Sequence, residues 1–78
     1  MIKQQSLGEL IIERREAALL SVEGLAEAMG LAANTVYRHQ AGDNIPHIGT
    51  VGEYCRVLKI DKAMATAALI ESRLRAAK

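Results

Sequence analysis

Tyr37 and Arg38 follow Asn34 by three and four residues, so a helix through them brings the three side chains onto one face. Their functional groups suit one kind of chemistry. The Arg38 guanidinium can give two parallel hydrogen bonds to neighbouring acceptors, as guanine offers at O6 and N7. The Asn34 amide can both give and accept, as adenine requires at N6 and N7. Tyr37 can pack on a methyl group or donate to a phosphate oxygen. Ala33, one position before Asn34, can touch a thymine methyl or make room. Glu and Lys ordinarily fill a merely solvated helix face, and neither occurs from Ala32 to Ala41.

The remaining reactive side chains support no catalysis. His39 and His47 have no Cys or carboxylate partners at zinc-ligand spacing. Cys55 lacks the context of a nucleophile, and as the single cysteine it cannot close an internal disulfide. That fits a reducing compartment and a cytoplasmic location. The glycines form no phosphate-cradling loop. The expectation is therefore a protein that is not an enzyme, with no metal and no cofactor. His39 is expected to be partly buried and bonded to a backbone carbonyl, and Cys55 to be a small core residue. No apolar run is long enough for a membrane, and no charged-then-apolar leader opens the chain.

The elements that must position Asn34 and Arg38 begin at Ser21. From there to Gly42 the pattern reads as two short helices joined by a tight turn. Ser21 is a good N-cap for a helix over Val22 to Met29, with Leu25, Ala26 and Met29 inward. Gly30 can take positive φ and end it cheaply. The next helix covers about Ala33 to Gln40, with Val36 inward and Ala32 as a poor N-cap. Before this pair, Ser6 and Glu9 form a capping box for a first helix running to about Ala18, with Leu7, Leu10, Ile11 and Ala18 on one face. Leu19 cannot take positive φ cheaply, so that helix is expected to run on or to connect differently. After a turn-rich loop with Gly42, Asp43, Asn44 and Pro46, a fourth helix is expected over about Ile48 to Leu58. Ile48, Val51, Tyr54, Cys55 and Leu58 should face inward, while Gly49 and Gly52 either allow close packing or leave the helix loose. Asp61 caps a fifth, Lys62 to about Ala77, with Met64, Ala67, Ala68 and Leu74 on one face and Arg73, Arg75 and Lys78 at its end. Half of the residues are hydrophobic but only two are aromatic, so alanine and leucine must build the core. Residues 1–78 are read as one small all-α domain.

The order Leu25, Ala26, Met29, Gly30, Leu31, Val36 resembles the helix-turn-helix of the lambda-repressor-like, Cro/C1 and xenobiotic-response-element (XRE) regulators. The resemblance covers roughly residues 7–61, including "RRE" in the first helix, "LAEAMG" and "YCRVLKID"; residues 62–78 would be an extended last helix. It implies a compact five-helix bundle that binds double-stranded DNA by sequence, as a bacterial or phage transcriptional repressor or regulator, with the helix at 33–40 in the major groove. Ala33, Asn34, Tyr37 and Arg38 would read bases. Phosphates would be held by Arg14, Arg15, Val22, Ala32, Asn44 and His47. Relatives often carry Gln at the Val22 position; here only backbone N–H groups could serve. Gln40 stands where some relatives have a Glu that pairs with an arginine, here Arg15, so a hydrogen bond could replace the ion pair.

Charge argues for moderation. The formal net charge is +1, so strong indiscriminate binding to phosphate is not expected. Near the reading face the cations are Arg38, His39 and His47, with Arg14 and Arg15 on the first helix. So small a contact set implies a short site per chain, and hence a dimer on a palindrome or fusion to another DNA-binding segment; for a homodimer, Met64, Ala67, Ala68 and Leu74 would supply the surface. The alternative from another class is a protein-interaction module on the same fold, antitoxin-like or otherwise partner-binding.

Overall fold

Local signals set the helix starts. In the computed structural model, which describes residues 4–77, Ser6 and Glu9 make the full capping box. The Ser6 N–H donates to Glu9 Oε1 at 2.8 Å, and the Glu9 N–H donates to Ser6 Oγ at 3.2 Å. Helix α1 follows from Leu7 to Ala17. Ser21 Oγ takes the Gly24 N–H to start α2, Val22–Met29. Asp61 takes the Met64 N–H to start α5, Lys62–Ala76. Between these, α3 spans Ala33–Ala41 and α4 spans Ile48–Leu58, and neither has a side-chain cap. The described residues contain five helices and no strand. Lys78, expected among the cations at the end of α5, lies outside them.

Helices α1 to α4 all end in the same closure, with a residue in the left-handed region and the next N–H donating five residues back. Leu20, Leu31, Asp43 and Ile60 donate to the carbonyls of Arg15, Ala26, Arg38 and Cys55 at 2.9–3.1 Å. Gly30 (φ 69°) and Gly42 (φ 82°) take the left-handed position as their residue type favours. Leu19 (φ 60°) and Lys59 (φ 55°) take it too. This corrects the expectation for Leu19. Its side chain is 93% exposed, so the strained conformation sacrifices no packing, while Leu20 and Ile60, just beyond the two strained residues, turn back onto the core. The fold accepts the backbone cost to place those residues.

The core is built from aliphatic side chains of all five helices around Tyr54, the largest fully buried residue. Helix α3 packs against both α2 and α1, and α5 lies on α1 and α4. At the α1–α3 crossing sits Gly8. A Cβ there would fall onto the Gln40 carbonyl oxygen and 2.8 Å from that of His39. Gly49 and Gly52 face open space, so close packing is not their role.

Three expected core or face positions differ. Ile48 is 65% exposed, because on the first turn of α4 it falls beside the stripe through Val51, Tyr54, Cys55 and Leu58. Ala18 is exposed, since α1 stops at Ala17. Ala68 is fully buried with Ala65 and Leu69, whereas Met64 and Leu74 are exposed. At about 100° per residue Ala68 and Leu74 lie about 120° apart around α5, with Ala68 against the core and Leu74 outside it, so the four residues expected on one face do not share it.

Candidate nucleic-acid interface

The two short helices α2 and α3 pack on each other across the turn Gly30–Leu31–Ala32. The inner side of α3 is fully engaged. Val36 is buried in the core. His39, also buried, bonds through Nδ1 to the Tyr54 hydroxyl at 2.7 Å, with the rings edge to face. The expected carbonyl partner is thus replaced by a side chain fifteen residues away. Burial holds the His39 pKa below its usual 6.5 and pushes that of Tyr54 up to about 12. His39 is therefore neutral at pH 7 and does not belong among the cations counted from the sequence.

The outer side of α3 is bare. Asn34, Tyr37 and Arg38 are exposed, and among the described residues none of their side chains makes a hydrogen bond or ion pair. The contrast with other arginines is plain. Arg56 pairs with Glu53 at 2.7 Å, and Arg75 with Glu71 at 2.9 Å and Glu9 at 3.4 Å. Ala33 is less available, because its half-buried methyl packs on the core. The start of α3 has no side-chain acceptor, with Ala32 extended at φ −73° and ψ 144°, so this end is a weak positive pole, although the Thr35 N–H already donates to the Ala32 carbonyl at 3.0 Å.

The residues expected to hold phosphate are differently placed. Arg15 donates from Nε to Gln40 Oε1 and from Nη1 to the Leu20 carbonyl, both at 2.8 Å. Its side chain is 15% exposed, and it joins α1 to α3 and to the strained turn after α1. Arg14 reaches toward α5, with Nη2 3.2 Å from Met64 Sδ and Nε 3.6 Å from Glu13. That Nε is buried without a hydrogen bond. The Val22 side chain is buried, leaving only backbone at the α2 start. His47 is exposed and forms the uncapped start of α4. Asn44 is exposed in the preceding loop and lines a cavity of about 420 Å³ between the start of α1, the end of α3 and α5.

Sequence reasoning missed what long-range contacts assemble. Ser72 Oγ accepts the Leu7 N–H at 2.7 Å, tying α5 to the first turn of α1. Nothing local marks that pair, since a serine in mid-helix carries no signal of a partner 65 positions away. No helix among the described residues is long and apolar enough to cross a membrane, and no group of three or more His, Cys, Asp or Glu there could hold a metal ion. No protein-family model, curated protein or solved structure matches the chain.

Proposed function

We propose that the chain is a helix-turn-helix domain of the lambda-repressor-like kind that binds double-stranded DNA by sequence, with α3 in the major groove, and that it acts as a transcriptional regulator. One observation carries the reading. Asn34, Tyr37 and Arg38 stand exposed on one face of α3, without a side-chain hydrogen bond or ion pair among the described residues, on a helix whose opposite face is tied down by Val36, by His39 on Tyr54 and by Gln40 on Arg15. A rigid helix with a bare set of bidentate donors is what reading base edges requires. The uncapped starts of α3 and α4 add backbone donors suited to phosphate. The test is selection from a random duplex library. The expected outcome is a short enriched motif, lost with Arg38→Ala in a protein that still folds. Absence of enrichment with well-folded protein rejects the reading.

A second reading has its own support. Arg14 and Arg15 are committed within the chain, which leaves Arg38 as the uncommitted arginine of the proposed contact set. Weak phosphate affinity suits a module that binds another protein through the same α3 face. A partner protein whose binding is abolished by Tyr37→Ala, together with a failed duplex selection, would move this reading ahead.

A further inference from the structure

The cavity of about 420 Å³ between the start of α1, the end of α3 and α5 has the size of a small-molecule site. Hydrogen-bond donors without acceptors open on it. In the first turn of α1, the N–H groups of Leu7, Glu9 and Leu10 find Ser72 Oγ, Ser6 Oγ and the Ser6 carbonyl. The Gly8 N–H finds no acceptor among the described residues, and Gly8 lines the cavity. Ser72 lines it too. Its oxygen accepts from Leu7, which leaves the hydroxyl proton to give. Thr66, by contrast, already donates to the Lys62 carbonyl.

His39 supplies a third donor. It is 6% exposed and lines the same cavity. The Tyr54 hydroxyl is fully buried, with His39 Nδ1 its one partner among the described residues. Its proton therefore goes to Nδ1 rather than staying unpaired. A neutral imidazole then carries its own proton on Nε2. Nε2 has no partner among the described residues. Arg14 Nε is the one sealed side-chain nitrogen or oxygen there that lacks a partner, so the His39 Nε2–H is open, and it opens on the cavity.

The end of α3 supplies acceptors. The N–H groups of Asp43 and Gly42 go to the carbonyls of Arg38 and His39, which leaves the carbonyls of Gln40 and Ala41 at the negative pole of the helix. Arg75, also on the wall, is balanced by Glu9 and Glu71, so there is no surplus positive charge for a net anion. Leu7, Ile45 and Pro46 give the cavity an apolar side. We propose that it binds an aliphatic α-amino acid. The carboxylate takes the donors of Gly8, Ser72 and His39, the ammonium meets the last-turn carbonyls of α3, and the side chain lies on Ile45 and Pro46. A zwitterion adds no net charge and aligns with the opposite poles of α1 and α3. The site stands on the cavity alone and does not depend on the function proposed above.

The experiment is a titration of the isotope-labelled full chain with valine, leucine and isoleucine, followed by amide and imidazole NMR and by thermal melts. At least one should give saturable shifts at Gly8, His39 and Gly42, with a Kd on the order of 1 mM or tighter. At about tenfold excess over that Kd it should raise the Tm by roughly 6–10 °C. Isocaproate and isoamylamine, which are leucine without its ammonium and without its carboxylate, should bind at least about tenfold more weakly. Ala76→Phe places a ring at the cavity wall from an exposed position; it should abolish the shifts and leave the melt of the free protein unchanged. Absence of saturable shifts with all three amino acids, or shifts that persist in Ala76→Phe, overturns the site. Isocaproate binding as tightly as leucine overturns the zwitterion. A free protein with the His39 proton on Nδ1 overturns the donor set.

Discussion

The two sides of α3 are opposites in construction. Inward, almost every group has a partner: Gly8 admits the last-turn carbonyls, Arg15 holds Gln40, and Tyr54 holds His39. Outward, the exposed side chains of Asn34, Tyr37 and Arg38 make no hydrogen bond or ion pair among the described residues. Arg15 and Arg38 are the same residue type, both on polar-looking stretches, yet one is built into the fold and the other has no polar partner among the described residues. The position of a charge in a sequence does not say whether it is available. What makes it available is the lack of an acceptor nearby, and that is a property of the folded arrangement. The two sides should therefore fail differently: inner-side changes should cost stability, and outer-side changes should cost binding alone.

Gly8 gives the largest expected effect. With a Cβ the α1–α3 crossing must open, because the atoms met are backbone carbonyls that cannot rotate aside. Gly8→Ala should cost about 3 kcal/mol, at the upper end of overpacking effects, read as a drop in the urea midpoint. An unchanged midpoint would mean that α1 and α3 cross elsewhere. Gly49→Ala and Gly52→Ala, facing open space on α4, should instead be neutral or stabilising by up to about 1 kcal/mol.

The two arginines come next and test the comparison directly. Arg38→Ala should leave the melt within about 0.5 kcal/mol of the parent and cost ~1–3 kcal/mol on a selected duplex, with relaxed preference at one base pair. Arg15→Ala should do the reverse. It leaves the Leu20 carbonyl and Gln40 without their charged donor, a loss of roughly 1–3 kcal/mol of stability, and it should leave the salt dependence of binding alone. A salt slope smaller by about 0.9 in Arg15→Ala would return Arg15 to the phosphate contacts.

The helix starts and ends were readable wherever one residue settles the matter locally. Ser6 with Glu9, Ser21, Gly30, Gly42 and Asp61 all act within a turn of themselves, and each caps or closes a helix where its type predicts. The hydrogen bond between Arg15 and Gln40 was legible from the pairing that the resemblance implies. What could not be read depends on elements far apart in the chain. Tyr54 as the partner of His39, the engagement of Arg14 and Ser72, and the burial of Ala68 all require knowing how α4 and α5 lie on α1 and α3. Bare side chains on α3 were expected from residue type, but only the absence of neighbours distinguishes them from Arg15.

His39 offers a pH test of the inner side. Its folded pKa lies below 6.5 because burial disfavours the cation. Above pH 6.5 both folded and unfolded chains hold the ring neutral, and the full stability is present. As pH falls below 6.5 the unfolded chain takes up a proton first, so stability declines until the folded pKa is reached. Parent melts at stepped pH should show this loss, and His39→Gln should flatten it over the same interval. An equal acid slope in both proteins would assign the loss to other groups.

The smallest expected effect concerns the strained turn beside Arg15. Leu19 and Gly30 occupy the same place in the same closure, at φ 60° and 69°. In Leu19 the Cβ costs roughly 1–2 kcal/mol in the left-handed region; in Gly30 that cost is absent. Exchanging the residue types should move stability in opposite directions. Leu19→Gly relieves the strain and gives up almost no burial, since the side chain is 93% exposed, but it also frees the unfolded chain by roughly 0.4–1 kcal/mol. The net gain should be about 0.5–1 kcal/mol. Gly30→Ala adds a Cβ that meets nothing within 4 Å, so its cost is backbone strain alone, about 1 kcal/mol less the same entropy term. Gly30→Val should cost more, because β-branching disfavours positive φ further. Both residues lie off the outer face of α3, so duplex affinity should follow neither change. If Leu19→Gly instead lowers the melting temperature, the turn after α1 is not in the left-handed region, and the hold of Arg15 on the Leu20 carbonyl would have to be redrawn with it.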